Sequence, residues 1–144
     1  MASEHVAIDI AATPERVWQV IADIESGPRW TESVTDLKRL DSGPVAVGSK
    51  ARVKQPGLPS LVWEVTALEP GTQFTWVCRT PGLASAARHD IIPSGGGCRL
   101  ELTMTWSGPL AGITAALNKS RTRRLMTTEA NGAKARSERA LASA

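Results

Sequence analysis

The sequence predicts an α+β domain in which one antiparallel sheet packs against a long C-terminal helix. Between residues 33 and 106, apolar and polar residues alternate in successive short segments, which is typical of half-buried strands. These segments follow one another across short turns rich in Gly and Pro instead of alternating with helices, and this order favours an antiparallel sheet. From Gly108 and Pro109 to Ala144, apolar residues recur at helical spacing, with Pro109 where a first-turn proline is tolerated.

The N-terminal part predicts one strand followed by two helical segments. Residues 4–10 alternate, and three aliphatic side chains share one face of this strand: Val6, Ile8 and Ile10. Thr13 is predicted as the N-cap of the next helix, with Pro14 at its first position. The second segment, within residues 25–30, contains a Gly-Pro pair and is expected to be a broken helix or a turn.

Six more strands are predicted downstream, which gives the order β-α-α-β-β-β-β-β-β-α. They cover residues 34–40, 49–54, 61–68, 72–79, 83–92 and 99–106. Side-chain parity puts most of the charged residues of these strands on the face toward water, Glu64 and Asp90 among them. The opposite face carries Val53, Trp63, Val65, Phe74, Trp76, His89, Leu102, Met104 and Trp106. We expect the final helix to cover this second face.

The two halves of the C-terminal helix differ in character. The first half has an apolar stripe that we predict to close on the sheet, formed by Leu110, Ile113 and Leu117. Residues 118–139 contain seven Lys or Arg and two acidic residues, so this half is predicted to overhang the sheet edge. A break is expected at Asn131-Gly132 if the helix is not continuous, and the last ten or so residues are expected to fray.

Composition narrows the possible function classes. With 144 residues, 42% hydrophobic and 22% charged, the chain is predicted to be a single domain over residues 1–144. It contains neither an apolar run of about 18 residues nor a signal-peptide pattern, so we expect a soluble cytoplasmic protein. Cys78 and Cys98 lack CxxC spacing and are predicted to be reduced. Because His5 and His89 fall on distant strands without a Cys cluster, no metal is expected, and no cofactor is predicted.

Several short motifs resemble the START-like polyketide cyclase/dehydrase (SRPBCC) superfamily. At the start, the resemblance rests on residues 12–18 (ATPERVW), on Asp23-Ile24 and on Pro28-Arg29-Trp30. It continues in order through Gly48-Ser49, Trp63-Glu64-Val65, Pro81-Gly82, His89 before Pro93, and Gly108-Pro109-Leu110. The resemblance implies a helix-grip fold, in which a curved seven-stranded antiparallel sheet wraps around the C-terminal helix and leaves an apolar cavity. It also implies a cavity mouth formed by residues 55–60, residues 80–83 and Gly108-Pro109.

This superfamily contains lipid and sterol carriers, aromatic polyketide cyclases and co-chaperone domains, so three functions stay open. The first is binding of a hydrophobic small molecule, such as a lipid, isoprenoid or polyketide-like compound. The second is a polyketide cyclase/dehydrase-type enzyme, and the third is a co-chaperone-like interaction module that uses Arg121, Arg123 and Arg124. We expect a monomer or homodimer. Neither nucleic-acid binding nor membrane insertion is expected, because the apolar stripe of the basic helix is predicted to be committed to the sheet and no aromatic residues interleave the basic ones.

His89 is the candidate catalytic residue, because parity places it on the apolar face. It would serve as a general acid or base, as a hydrogen-bond partner for a ligand carbonyl, or only as a buried neutral side chain. The tryptophans are interpreted either as flat walls for a planar ligand or as ordinary core. Arg121 and Arg124 either reach a ligand carboxylate or phosphate or are solvated at the sheet edge. The predicted ligand-binding residues are Val53, Trp63, Phe74, Trp76, His89, Leu102, Met104, Trp106, Leu117, Arg121 and Arg124.

Overall fold

The elements follow the predicted order in a computed structural model, which describes the backbone of residues 2–143 and the side chains of residues 2–139. The strands are β1 (Ala2–Ile10), β2 (Asp36–Arg39), β3 (Lys50–Lys54), β4 (Leu61–Glu69), β5 (Gln73–Thr80), β6 (Leu83–Ser94) and β7 (Gly97–Ser107). The helices are α1 (Pro14–Ala22), α2 (Gly27–Trp30) and α3 (Ala111–Ser143), and a 3-10 turn at Ile24–Ser26 precedes α2. The α+β class and the helix-grip fold are confirmed. The predicted end of the last helix at Ala144 lies outside the described residues, and the fraying of its final residues stays a prediction.

The seven strands form one antiparallel sheet in the order β1-β7-β6-β5-β4-β3-β2. At one edge, the first strand of the chain pairs with the last, from Ala2 opposite Trp106 to Ile10 opposite Cys98. At the other edge, β2 pairs with β3. Within the described residues, no helix is both long and apolar enough to span a membrane.

The strands present the predicted apolar face, with one local exception in β4. Val53, Trp63, Phe74 and the other members of that face are buried or partly buried against the core. In β4, however, the pairing with β5 shifts register between Val65 and Ala67. Because of this irregularity, Leu68 pairs with Phe74 and takes the place on the inward face that strict alternation predicts for Ala67.

The first helix begins as the capping pattern predicts. Thr13 has extended backbone angles, and its side-chain oxygen accepts a hydrogen bond from the Arg16 amide at 3.2 Å. Pro14 follows at the first helical position, where no amide hydrogen is needed. Val17, Val20 and Ile21 are the buried face of this helix, and they seal one end of the core.

The apolar stripe predicted to face the sheet instead lies on the outer side of α3, so that prediction is wrong. Leu110, Ile113 and Leu117 are 45%, 62% and 80% exposed. The inward side of the helix carries Thr122, Met126, Ala130, Ala133 and Ser137, all buried. Most of these side chains are small, and the opposing sheet supplies the bulky Trp, Phe and Leu residues of the core. At Ala130, Ala133 and Ser137, small side chains let the helix approach its neighbours closely, and bulky ones there would overfill the space.

Gly132 does not break α3, because the helix is continuous through it. The glycine instead lies against α2, where an added Cβ would collide with the carbonyl oxygen of Trp30 and would lie 3.1 Å from the Thr31 Cβ. The missing side chain therefore allows close contact between the backbones of the two helices, so this glycine is a packing residue and not a helix end.

Glu138 ties the far part of α3 to the segment that follows β1. Its carboxylate accepts hydrogen bonds from the Ala11 amide at 2.8 Å and the Lys134 ammonium at 2.6 Å. The hydrogen bond from Lys134, followed by that from Ala11, lowers the pKa of Glu138 from its ordinary 4.5. A carboxyl with a lowered folded-state pKa contributes stability above its unfolded-state pKa, and this contribution disappears as the pH falls through the folded-state value.

We therefore expect Glu138→Gln to lower the free energy of unfolding at neutral pH and to have no effect in acid. The loss should be at most about 1 kcal/mol, because solvent screens a partly exposed pair. Urea denaturation of both proteins from neutral pH to below the folded-state pKa measures this difference. A gap between the two proteins that stays constant over that range would contradict the assignment.

Candidate functional site

A cavity of about 200 Å³ lies between the sheet and α3. Strands β3 to β7 form one wall, α3 forms the other, and the lining is largely apolar. Three tryptophans contribute to it, and two of them, Trp63 and Trp76, lie with their ring centroids 5.7 Å apart. An engineered cavity of about 150 Å³ in another protein is large enough to bind benzene. The cavity therefore has room for one or two rings, and a larger ligand would extend through the mouth.

Eight of the eleven predicted ligand-binding residues line this cavity: Val53, Trp63, Trp76, His89, Leu102, Met104, Trp106 and Arg121. Strand parity explains the position of the sheet residues, since the cavity lies on the face that alternation identified. Lining describes position only, and the binding role of these residues stays a prediction.

The other three predicted residues lie elsewhere. Phe74 is 2% exposed and stacks beneath His89, with ring centroids 4.3 Å apart and planes inclined by 11°. Leu117 is on the outer side of α3, so its placement among ligand-binding residues is corrected. Arg124 lines a separate groove with Glu32 and Pro56 and does not line the main cavity.

Two of the three segments predicted at the cavity mouth contribute to its lining. Gln55 and Leu58 do so from the β3–β4 loop, and Thr80 and Leu83 do so from the β5–β6 turn. Gly108 and Pro109 are not part of the lining. The segment after Pro109 instead contacts the β5–β6 turn, where the Leu110 amide donates a hydrogen bond of 3.0 Å to the Gly82 carbonyl.

His89 is held at the cavity wall by two partners. Its Nδ1 is 3.3 Å from the carbonyl oxygen of Phe74, and its Nε2 is 3.2 Å from Oε2 of Glu129 on α3. The imidazole is 7% exposed and the carboxylate 24% exposed. Both side chains line the cavity, so a ligand inside it has access to this His89–Glu129 pair.

The two contacts use different tautomers or protonation states of the ring. A hydrogen on Nε2 lets His89 donate to the Glu129 carboxylate at 3.2 Å. The Phe74 carbonyl oxygen only accepts, so the 3.3 Å contact is a hydrogen bond when Nδ1 carries a hydrogen. Imidazole and carboxylate are both side chains that can act as general acid or base, and both line the cavity.

Glu129 is a site residue that the sequence pattern does not reveal. In the sequence, Glu129 is only one of two acidic residues in the basic half of the helix. Its position at the cavity is not apparent there, because apolar spacing assigns the inward side of α3 to the wrong residues. The sequence does contain a signal for it. Glu129 lies three residues after Met126 and four residues before Ala133, so helical spacing puts all three on the same face of α3. The buried stripe that contains it is made of small side chains, and an apolar-spacing search does not detect such a stripe.

The remaining polar groups of the site are not set up for nucleophilic or metal chemistry. Cys78 lines the cavity, but burial raises the pKa of its thiol, which keeps it in the poorly nucleophilic neutral form. Glu64 and Asp90 face outward, where they meet Lys50 at 4.0 Å and Arg88 at 2.8 Å. Among residues 2–139, no group of three or more His, Cys, Asp or Glu side chains is arranged to hold a metal ion.

Comparison with protein families gives a match over nearly the whole chain. The family model for "Polyketide cyclase / dehydrase and lipid transport" matches residues 1–138. Uncharacterised proteins of Mycobacterium bovis and Mycobacterium tuberculosis are 32% identical over 103 residues, which is 67% of this chain. The chain spans 60% of the length of these curated relatives.

Several solved structures share the fold at low sequence identity. An aromatase/cyclase from Streptomyces sp. R1128 superposes with a TM-score of 0.77 at 16% identity, covering 97% of this chain and 96% of that one. A protein of Thermus thermophilus gives 0.74 at 18% identity, covering 96% and 99%. A di-domain aromatase/cyclase of the steffimycin biosynthetic pathway gives 0.76 at 11% identity, covering 97% of this chain and 51% of that one.

Proposed function

The chain belongs to the polyketide cyclase/dehydrase and lipid transport family, in the START-like superfamily, and on this basis we propose that it binds a hydrophobic small molecule between the sheet and α3. The observation that carries this proposal is the cavity of about 200 Å³ lined by Trp63, Trp76 and Trp106. Protein interiors are close-packed, and voids larger than a water molecule are few. A mostly apolar lining with a few polar groups is typical of a ligand pocket, and it supports this proposal.

The lining favours a flat apolar ligand. Indole rings offer broad faces, and ligand rings packed on them gain both apolar burial and favourable ring–ring contact. Burying apolar surface contributes about 25 cal/mol for each Å² removed from water. A ring system of about two rings, as in polyketide-derived aromatics, would use most of the volume, and a longer lipid or isoprenoid would also occupy the mouth.

Filling the cavity is expected to abolish binding. Ala87 lines the cavity, whereas its neighbour Ala86 lies on the opposite face of β6 by strand alternation. We expect Ala87→Phe to weaken binding of the neutral fluorescent compound N-phenyl-1-naphthylamine at least about tenfold, since the new ring occupies the ligand's space. Fluorescence titration measures the dissociation constant, and thermal unfolding checks that each variant folds.

Ala86→Phe is the matched control, because it adds the same ring to the same strand on the outward face. It is expected to bind N-phenyl-1-naphthylamine like the unmodified protein. Binding by Ala87→Phe that equals that of Ala86→Phe would show that the compound lies outside the cavity, and the proposal would fail.

A second candidate function, a cyclase/dehydrase-type enzyme, is favoured by the His89–Glu129 pair. An aldol cyclisation needs a proton removed from the carbon that attacks and a proton delivered to the carbonyl oxygen that accepts it. An imidazole and a carboxylate 3.2 Å apart at the wall of an apolar cavity have the groups for such transfers. The interaction-module alternative has less support, because Arg123 is already bonded to Glu4 at 2.9 Å.

A further inference from the structure

We propose that the ligand is an amphiphile, with an apolar body among the tryptophans and a carboxylate that binds Arg121 at the cavity mouth. This inference rests on the proposed binding function and specifies the class of ligand. Two observations support it: the positions of the charged side chains around the cavity, and the fact that other nearby cationic side chains already bond to groups of the protein.

Apart from Arg88, which is paired with Asp90 at 2.8 Å, the charged groups of the lining lie at two separate places along α3. The His89–Glu129 pair is on the wall beside Phe74, and Arg121 lies near the β3–β4 loop, which contributes Gln55 and Leu58 to the mouth. Eight residues separate Arg121 from Glu129, which corresponds to about 12 Å along the helix axis. The lining between them is largely apolar. A complementary ligand therefore has an apolar body of up to about that length, with its charge at one end.

Arg121 has donor groups that are not used by an acid of the protein. One nitrogen of its guanidinium contacts the Asn118 side-chain oxygen at 3.3 Å. Among residues 2–139, no carboxylate oxygen lies within 4 Å of this guanidinium, whereas Arg123 and Lys134 each have such a partner. Across the mouth, a Cβ added to Gly57 would lie 3.5 Å from Nε of Arg121. Gly57 therefore lies directly beside the guanidinium, which borders both the cavity and the neighbouring groove.

The other nearby cations are placed differently. Lys54 donates to the backbone carbonyls of Gln55 and Leu58, so its ammonium holds the β3–β4 loop. Arg124 lines the neighbouring groove and not the cavity. A single guanidinium at the mouth matches one carboxylate in charge, and its planar fork can donate two parallel hydrogen bonds to the two oxygens.

Paired probes that differ only in charge test this inference. We would use 2-naphthyl alkanoic acids of increasing chain length, together with their methyl esters, and follow binding through quenching of tryptophan fluorescence. Arg121→Gln removes the charge at the mouth. Lys119→Gln is the matched control, because Lys119 is exposed on the same helix, lines neither cavity nor groove, and loses the same charge.

Arg121→Gln is expected to weaken binding of the acids about three- to tenfold, the range for a partly exposed charge pair. Ester binding should stay unchanged, and Lys119→Gln should leave both unchanged. Added salt should weaken acid binding to the unmodified protein but not to Arg121→Gln. If acids and esters bind alike and Arg121→Gln affects neither, the inference is overturned while the binding function stands. If neither acid nor ester binds the unmodified protein, both fail together.

Discussion

Removing either His89 or Glu129 alone is expected to lower the free energy of unfolding by about 1–3 kcal/mol, and removing both is expected to recover most of that loss. In the single variant Glu129→Leu, Nε2 of His89 loses its partner at a nearly buried site. In His89→Phe, the Glu129 carboxylate loses its partner while Phe74 still offers a stacking surface for the new ring. The double variant leaves no polar group of the pair unpaired, which is why its cost should be small.

A double-mutant cycle by urea denaturation measures this coupling. The matched variant Glu129→Gln keeps a partner, because its amide can donate to Nε2 of a neutral His89, and it should cost less than Glu129→Leu. Additive losses in the double variant would mean that the two side chains do not interact. A double variant as stable as the unmodified protein would argue that the pair is kept for binding or proton transfer and not for stability.

Gly132→Ala is expected to destabilise the protein by about 1–3 kcal/mol, although alanine is the better helix former. The added methyl group would collide with the Trp30 carbonyl oxygen, and a backbone atom cannot rotate away as a flexible side chain does. Either α3 or α2 must shift, and close packing transmits such a shift into the core. Chemical denaturation measures the change.

Gly112→Ala is the control in the same helix. A Cβ at Gly112 meets nothing within 4 Å, and the residue lies in the first turn of α3, so we expect a gain of at most about 0.5 kcal/mol. Equal effects at the two positions would contradict the view that Gly132 is a packing residue.

The sheet could be predicted from the sequence because each strand carries its own evidence. Alternation in β3 to β7 identifies the buried face without knowledge of the neighbours, and seven predicted strand residues consequently line the cavity. The bulge between Val65 and Ala67 was not predictable in this way. The bulge depends on how β4 pairs with β5, and the residue pattern of one strand does not reveal the register of that pairing.

The face of the C-terminal helix could not be read correctly, because apolar spacing assumes that large apolar residues are the buried ones. Here the sheet provides the bulk, so the helix buries Ala130, Ala133 and Ser137 and leaves Leu117 in solvent. The same error hid Glu129, whose importance depends on its distance from His89. That distance is set by the packing of two elements remote in sequence, which no local pattern records.

The pairing of β1 with β7 has a consequence for how the chain folds. The residues of β1 pair with residues of β7, the last strand in the sequence, as Ile10 does with Cys98. This edge of the sheet therefore forms only by closing a long loop. The hairpins β4–β5, β5–β6 and β6–β7 join neighbours and can form early, because short loops close at lower entropic cost. During synthesis β1 is made before β7, so it stays without this partner until β7 has been made. The interval before that edge closes is when the nascent chain is most exposed to aggregation.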